Sequence, residues 1–329
     1  MESYFFYEWQ LIQQMKILIV GGTRFIGRNL VSLLVKTNVE FVLTSRRINP
    51  DVPHSQQIIC DREEFNKSAG SKQKFDLIVD FNGYNANQFY DFNLRASESK
   101  YFFVSTAWID RPVNAIRTND SRPSTKTFFN SLEGNYVKAK KEAEDKVIER
   151  YGQNAVILRL PIVLGFDDHH KRLDYTIYRI TNSNKYILPS NGNNILETIL
   201  VNDVSTIMLK LILNSDKDIP NYLNFKPPQK TTYLNYVSKI SSFLQKDTEF
   251  VDIEIDAFTK NLGKVAACDP FWRESESDVT GENAFQITNS QPTNIGDILP
   301  YLLKSNLINA AQHEAFSQER TYFARNRQY

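Results

Sequence analysis

Cysteine is scarce in this 329-residue sequence, since Cys60 and Cys268 are the only two. They are too few and too isolated for a disulfide framework or a thiolate metal site. No apolar run approaches the roughly 20 residues that a helix needs to span a bilayer. The net charge of +1 gives no electrostatic reason for an obligatory nucleic-acid or membrane partner. With 41% hydrophobic and 23% charged residues, the composition is that of an ordinary globular protein.

Several catalytic and metal-binding motifs are also missing. We find no Walker-type phosphate loop, no His-Glu-x-x-His helix and no glycine-framed serine nucleophile. Asp167-Asp168-His169-His170 resembles a metal site, but adjacent residues seldom supply convergent ligands. We therefore expect no bound metal and interpret this run as a solvated loop near a ligand cleft. The sequence has no internal repeats or low-complexity segments, and its length fits one large domain or two modest ones.

The first 14 residues lack the basic start and the apolar core of a signal peptide. We therefore expect a cytoplasmic protein. Two interpretations of this segment stay open. Either Met15 is the natural start and residues 1–14 are an upstream extension, or the segment is a short ordered arm. In the second case its aromatic side chains would cover an apolar patch: Tyr4, Phe5, Phe6 and Trp9.

The most informative stretch is Met15-Lys-Ile-Leu-Ile-Val-Gly-Gly-Thr-Arg-Phe-Ile-Gly27. It predicts a short buried strand, a tight glycine turn and a helix that opens near Phe25. Free backbone N–H groups and the positive end of the helix dipole favour a pyrophosphate at such a turn. Gly21 and Gly22 let the backbone approach the phosphates, and Gly27 lets the helix pack closely on the strand. The candidate phosphate-binding residues are Gly21, Gly22, Thr23, Arg24, Phe25, Ile26 and Gly27.

Strands and helices alternate downstream of this turn. Apolar runs predict strands at 41–47, 58–61, 75–84, 101–106 and 155–161, and a helix is predicted at about 131–151. This alternation predicts an α/β fold built on a Rossmann-type doubly wound parallel sheet. Beyond Gly165 the pattern loosens, with helices predicted at 174–183 and 202–213 and a strand at 198–201.

These motifs resemble the extended short-chain dehydrogenase/reductases, the NAD(P)-dependent epimerase/dehydratase family. Arg24 stands where a middle glycine is common, and this form is most similar to a branch that includes the plastid stem-loop RNA-binding proteins. The segment Val201-Asn-Asp-Val204 resembles the family's return to the Rossmann core. The resemblance implies an NAD(P)-binding Rossmann domain at 15–165 with a return segment at about 197–225. Residues 166–329 would then form mainly a smaller C-terminal α+β substrate-binding domain.

The end of the second strand indicates which nicotinamide cofactor is used. NAD-preferring sites carry an acidic residue there, which binds the ribose 2′-hydroxyl. Here Thr44 holds that position and is followed by Ser45, Arg46 and Arg47. A guanidinium beside a hydroxyl binds a 2′-phosphate through charge-assisted hydrogen bonds, so we expect NADP rather than NAD. The alternative is that Arg46 and Arg47 form only a solvated turn.

The resemblance implies three further cofactor contacts. Asp61 follows the third strand, where the family contacts the adenine amino group, although an acidic loop residue without that role is an alternative. Asn82-Gly83 resembles the small-residue turn that passes the nicotinamide-side ribose. Pro161, at the end of the sixth strand, is the third candidate.

Tyr136 and Lys140 are the candidate catalytic pair. Four residues apart on a helix, their side chains share one face, and an ammonium beside a phenol favours the phenolate. The resemblance implies that Tyr136 is the catalytic acid/base and that Lys140, besides favouring the phenolate, holds the nicotinamide ribose. It also implies that the hydroxyl of Thr106 binds the substrate oxygen. Ser105 is the alternative register for this hydroxyl, and Thr106 could instead cap the strand.

A second Tyr-x-x-x-Lys pair occurs at Tyr222 and Lys226. We expect it in a strand, where residues four apart are separated by about 13 Å. An incidental surface pair is the alternative for Tyr136 and Lys140 as well. No acidic residue directly follows Thr106, which disfavours a dehydratase, and Arg159-Leu-Pro161 replaces the Arg-x-Phe-Asn pattern associated with nucleotide sugars.

The leading hypothesis is an NADP-dependent oxidoreductase or epimerase that acts on a secondary alcohol or ketone, including a sugar-derived one. The alternative is a non-catalytic protein of the same fold that senses NADP or binds RNA. Nucleic acid is disfavoured as a partner by the near-neutral charge and by the lack of an evident basic stripe. We expect a small-molecule substrate and no membrane partner, and leave monomer and homodimer open.

Overall fold

The structure is a computed structural model, and it describes residues 15–83, 99–110, 123–273, 279–297 and 308–325. The proposed aromatic arm at 1–14 lies outside these residues. Within them, no helix combines the length and hydrophobicity needed to cross a bilayer.

The first half of the chain alternates strands and helices as predicted. The β-strands are β1 (Lys16–Val20), β2 (Glu40–Ser45), β3 (Gln57–Ile59), β4 (Leu77–Asp80), β5 (Lys100–Thr106) and β6 (Ala155–Leu160). The α-helices are α1 (Phe25–Leu34) and α2 (Pro123–Tyr151). The second of these helices begins earlier than the predicted residue 131. Proline is well tolerated in a first helical turn, because the N–H that it lacks would have no partner there. Pro123 is accordingly the first residue of the helix.

The second half contains shorter elements. Its strands are β7 (Ile162–Leu164), β8 (Lys185–Pro189), β9 (Ile195–Leu196), β10 (Thr198–Leu200), β11 (Tyr222–Asn224), β12 (Thr231–Thr232), β13 (Glu249–Ile253) and β14 (Glu282–Asn283). Its helices are α3 (Arg172–Asn182), α4 (Val201–Leu213), α5 (Tyr233–Phe243), α6 (Ile255–Asn261), α7 (Gly263–Cys268), α8 (Ala284–Ile287) and α9 (Ala310–Arg325).

The central sheet has eight strands in the order β14-β11-β6-β5-β4-β1-β2-β3, and every neighbouring pair is parallel. Val20 at the end of β1 is in register with Thr44 of β2 and with Asp80 of β4. The predicted doubly wound parallel sheet is therefore confirmed. This register brings the carboxyl ends of the middle strands to one edge, where ligands of open α/β sheets bind.

Helices cover both faces of the sheet. One face packs against Leu30 and Leu34 of α1 and Ile207 and Met208 of α4, all fully buried. The opposite face packs against α2. Two further apolar clusters form around the smaller elements of the second half. Helix α1 buries Phe25, Leu30, Val31 and Leu34, and burial of each such side chain contributes about 1.5–3 kcal/mol.

A short parallel pair of β8 and β13 joins residues that the sequence pattern left unassigned, with Lys185 opposite Glu249. An ion pair joins the first residues of the two strands, with Lys185 Nζ 2.9 Å from Glu249 Oε1. Charged residues interrupt β13 and a proline ends β8, which is why apolar runs did not identify these strands.

Candidate cofactor and active site

A cleft of about 780 Å³ opens at the carboxyl edge of the central sheet. Most of the residues predicted to bind a cofactor line it: Gly21, Thr23, Arg24, Phe25, Ile26, Gly27, Thr44, Ser45, Arg46, Arg47, Asp61 and Asn82. Gly22, Gly83, Pro161 and the three proposed catalytic residues are not part of this lining. Pro161 is buried between β6 and β7. The cleft thus unites the ends of strands that are separated in the sequence.

The glycine turn owes its shape to contacts that a side chain would block. Gly21 has φ +89°, and a Cβ there would lie 2.4 Å from the side chain of Asn82. A Cβ on Gly27 would lie 2.8 Å from Cα of Gly22. Gly21 N–H donates to the carbonyl of Thr44 at 2.9 Å, which ties the turn to the end of β2. The close helix–strand approach expected for this turn is present.

The arginines at the end of β2 lie at one end of the cleft. Thr44 and Ser45 are buried, and the Ser45 hydroxyl donates to the carbonyl of Arg47 at 2.5 Å. Arg46 Nε lies 3.7 Å from Asp61 Oδ1, and both side chains are largely exposed. Arg46 lines the cleft, and its exposed side chain fits both expectations, a 2′-phosphate site and a solvated turn. An exposed pair of this kind contributes at most about 1 kcal/mol, so a stronger anion can displace it.

A buried triad that sequence reasoning missed lies behind this end of the cleft. Arg62, which lines the cleft, donates two hydrogen bonds of 2.6 Å to the carboxylate of Asp80. Tyr101 O–H donates to the same carboxylate at 2.5 Å, and so does Asn82 N–H at 2.9 Å. Burial alone raises the pKa of Asp80, but the Arg62 charge and these hydrogen bonds outweigh it and hold that pKa below its ordinary value. The sequence signal that could have revealed this triad is Asp80, an acidic residue in the otherwise apolar strand 77–80.

Lys140 is buried and reaches the sheet edge next to the cleft. Its Nζ donates to the carbonyl of Gly83 at 2.7 Å and to the carbonyl of Val104 at 2.9 Å. It also lies 4.7 Å from the ring centroid of Phe103. Burial lowers the pKa of Lys140 to about 8 against the opposing attraction of Asp80 and Glu144, so the side chain is mainly protonated at neutral pH. The turn after β4 and the end of β5 thus meet at this ammonium.

Tyr136 lies one helical turn before Lys140 on α2, and its side chain is 37% exposed. The other Tyr-x-x-x-Lys pair is placed differently, as expected. Tyr222 belongs to β11, and Lys226 Nζ lies 2.8 Å from Glu197 Oε1. Of the two pairs, Tyr136 and Lys140 are the one whose members lie one turn apart on a single helix.

The two hydroxyls at the end of β5 differ in their partners. Thr106 Oγ1 accepts from Trp108 N–H at 3.2 Å, which is the capping arrangement named above as an alternative. The buried Ser105 hydroxyl has no hydrogen-bond partner among the described residues. Successive residues of a strand point to opposite faces, and Ser105 shares its face with Phe103, the ring under Lys140. An accepting Thr106 oxygen can still donate its own proton to a substrate oxygen.

The run at 167–170, which we expected to be a solvated loop, is exposed at His169 and His170 but buried at Asp168. Asp168 is buried and accepts from Arg172 Nη1 at 3.1 Å and from His170 N–H at 3.0 Å. Asp167 is ion-paired with Arg28 at 3.0 Å, and His169 lines the cleft. Across the described ranges, no group of three or more histidine, cysteine or acidic side chains could hold a metal ion.

Comparisons with known proteins agree with this geometry. The sequence profile of the NAD dependent epimerase/dehydratase family matches residues 17–224. No curated protein sequence is significantly similar to the chain. Among solved structures, UDP-glucose 4-epimerase of Thermotoga maritima with UDP-glucose is 15% identical, with a TM-score of 0.59 and coverage of 88% of this chain and 98% of that one.

Two further structures show the same likeness. Human epimerase family protein SDR39U1 with NADPH is 16% identical, with a TM-score of 0.57 and coverage of 88% of this chain and 99% of that one. UDP-glucuronic acid 4-epimerase of Bacillus cereus, in complex with UDP-glucuronic acid and NAD, is 16% identical, with a TM-score of 0.57 and coverage of 92% and 99%. At these identities the structures share the fold. With a profile match over more than half of its length, the chain belongs to the NAD dependent epimerase/dehydratase family, the extended short-chain dehydrogenase/reductases.

Proposed function

We propose that this protein is an NADP-dependent oxidoreductase or epimerase that acts on a secondary alcohol or ketone. The observation that carries the proposal is the position of Lys140. Its buried ammonium lies where the turn after β4 meets the end of β5, and Tyr136 precedes it by one helical turn. Burying an ammonium is costly, and the two backbone carbonyls that accept from Lys140 compensate that cost and hold the side chain at this edge of the sheet.

The cleft fits a nicotinamide dinucleotide. Its volume of about 780 Å³ lies within the roughly 300–1,000 Å³ typical of small-molecule sites. The turn at Gly21 and Gly27 is a cradle that a Cβ would fill. Residues 21–27 would hold the pyrophosphate, and Lys140 would hold the nicotinamide-side ribose. The bound nicotinamide would supply the hydride acceptor and donor.

The protein side chains would handle the proton. Tyr136 would take the hydroxyl proton of an alcohol or return it to a carbonyl oxygen. Lys140 would stabilise the phenolate form of Tyr136 through its positive charge. Thr106 would orient the substrate oxygen by donating its hydroxyl proton, and Ser105 stays the alternative for this role. Reduction and epimerisation use the same proton transfer, so these groups serve both.

A preference for NADP would come from the arginines at the end of β2. No carboxylate stands at Thr44, and a 2′-phosphate would replace the weak exposed contact between Arg46 and Asp61 with charge-assisted hydrogen bonds. The cleft lining also carries Asp61, Glu63 and Glu64, and these acidic side chains disfavour the long phosphate backbone of an RNA.

The test is a titration with NADPH and NADH, followed by turnover on a panel of ketones and secondary alcohols. We expect NADPH to bind at least tenfold tighter, about 1.4 kcal/mol, and the double variant R46A/R47A to lose that preference. Tyr136→Phe should lose at least 99% of turnover and keep cofactor binding, whereas Lys141→Met, a neighbouring exposed lysine, should keep both. Unchanged turnover in Tyr136→Phe would refute the catalytic role, and failure to bind either cofactor would refute the function.

A further inference from the structure

The segment between β7 and α3 contributes His169 to the lining of the cleft. Asp167 Oδ2 in the same segment accepts from Arg28 Nη1 at 3.0 Å, and Arg24 also lines the cleft. Arg24 is the N-cap residue of α1, and Arg28 lies in the first turn of that helix. The segment therefore lies against the N-terminal turn of α1 and borders the same cleft as the glycine turn.

Anchors on both sides of His169 hold it in place. Asp168, which is buried, accepts from Arg172 and from His170 N–H. Gln312 of α9 donates from Nε2 to the carbonyl of His170 at 3.0 Å and to that of Lys171 at 3.1 Å. These contacts fix the backbone on both sides of His169, whose exposed side chain lines the cleft. A backbone held in advance loses less entropy when a ligand binds.

The surroundings of His169 suit an anion. The N-cap residue of α1, Arg24, makes no side-chain hydrogen bond to the helix, and the first turn holds no acidic residue. The terminal N–H groups and the dipole of α1 are thus available to negative charge. Among the described residues, neither ring nitrogen of His169 has a hydrogen-bond partner, although the ring contacts that of His170 with centroids 4.0 Å apart. Burial lowers the pKa of His169, and Arg172 and Arg24 lower it further against Asp168, so the neutral ring offers one N–H donor.

We propose that His169 is a phosphate-binding residue, which donates an N–H hydrogen bond to the pyrophosphate of the dinucleotide at the glycine turn. This inference rests on the proposed function and adds a side-chain donor to the phosphate site. The pyrophosphate would lie between backbone N–H groups of residues 21–27 and this imidazole.

The test compares wild type, His169→Ala, His169→Gln and His170→Ala by calorimetric titration with NADPH and with adenosine 2′-monophosphate, which lacks the pyrophosphate. His170 is the matched control, because it neighbours His169 but does not line the cleft. We expect His169→Ala to bind NADPH at least tenfold more weakly and adenosine 2′-monophosphate unchanged. His169→Gln, whose amide N–H can also donate, should recover most of the affinity, and His170→Ala should match the wild type.

Two outcomes would overturn the inference alone. One is equal NADPH affinity of His169→Ala and wild type. The other is an equal loss for both ligands, which would place the effect at the adenosine end or in the fold. If the wild type binds neither NADPH nor NADH, the proposed function fails and the inference fails with it.

Discussion

Replacement of Asp80 by asparagine removes the charge at the centre of the buried triad. Asp80 is fully buried, and its carboxylate accepts two hydrogen bonds of 2.6 Å from Arg62, one from Tyr101 and one from Asn82 N–H. The asparagine amide would turn a donor toward these donors and leave the guanidinium without a counter-charge. Breaking a buried ion pair by removing one partner costs about 3–5 kcal/mol, so we expect Asp80→Asn to lose that much unfolding free energy.

Urea denaturation followed by circular dichroism measures this loss. The matched control is Asp145→Asn, which removes an exposed pair with Lys141 and should cost less than about 0.5 kcal/mol. The double variant that replaces Arg62 by Met and Asp80 by Leu should be more stable than Asp80→Asn, because it removes both charges and leaves none uncompensated. A loss of less than about 1 kcal/mol in Asp80→Asn would refute the reasoning.

The lowered pKa of Asp80 predicts that the stability of the protein depends on pH. The pKa of Asp80 is lower in the folded protein than in the unfolded chain, so the unfolded chain takes up the proton first as the pH falls. The stabilisation is therefore fully present above the ordinary aspartate pKa of about 3.8 and is lost as the pH falls through the lower value of the folded state. Asp80→Asn should lack this part of the acid-induced loss of unfolding free energy. Urea denaturation at pH 7 and at acidic pH measures the difference.

Two other substitutions test the glycine turn and the second half of the chain. Gly21→Ala should lose about 2 kcal/mol or more and bind NADPH more weakly, because φ is +89° and the new Cβ would meet Asn82. Gly263→Ala, where a Cβ meets nothing within 4 Å, should leave stability unchanged or raise it by about 0.5–1 kcal/mol; equal effects would refute the steric argument. Arg179→Met should lose about 3–5 kcal/mol in urea denaturation, because two buried carboxylates would lose their cation: those of Asp269, 2.7 Å away, and Glu319, 2.5 Å away. A loss below about 1 kcal/mol would contradict this estimate for the buried network.

The parts of the fold that follow from local rules could be predicted. Apolar runs of four to seven residues identified the main strands, because a parallel strand covered on both faces needs apolar side chains throughout. The glycine turn was predictable as well, since close backbone approach and a positive φ at Gly21 favour glycine. The α2 start and the pair of β8 and β13 were not predicted. In those cases a tolerated proline at the start of a helix, and strands that contain proline or acidic residues, gave weak or misleading local signals.

The candidate site was predictable where its members share one motif or follow a predicted strand. Tyr136 and Lys140 are one helical turn apart, so the spacing alone placed them together. The order in the 167–170 run escaped prediction, because the buried carboxylate of Asp168 depends on how α3 and α9 pack against the segment. The roles proposed for Thr106 and Ser105 stay predictions, since two adjacent hydroxyls on opposite faces of one strand look alike in a sequence.

The sequence by itself determined the strand–turn–helix unit of residues 15–35 and the alternation that requires a parallel sheet. The steric preferences of the backbone and the spacing of apolar residues depend on a few neighbouring positions, so both can be recognised from a short stretch of sequence. Only the tertiary structure decided which distant charges meet. Arg62 and Asp80 are 18 positions apart, Arg28 and Asp167 are 139 apart, and Arg179 and Glu319 are 140 apart. Packing of the sheet and helices brings these pairs together. For Arg62–Asp80 and Arg179–Glu319 it does so in a low-dielectric interior, where an unpaired charge would be too costly to keep.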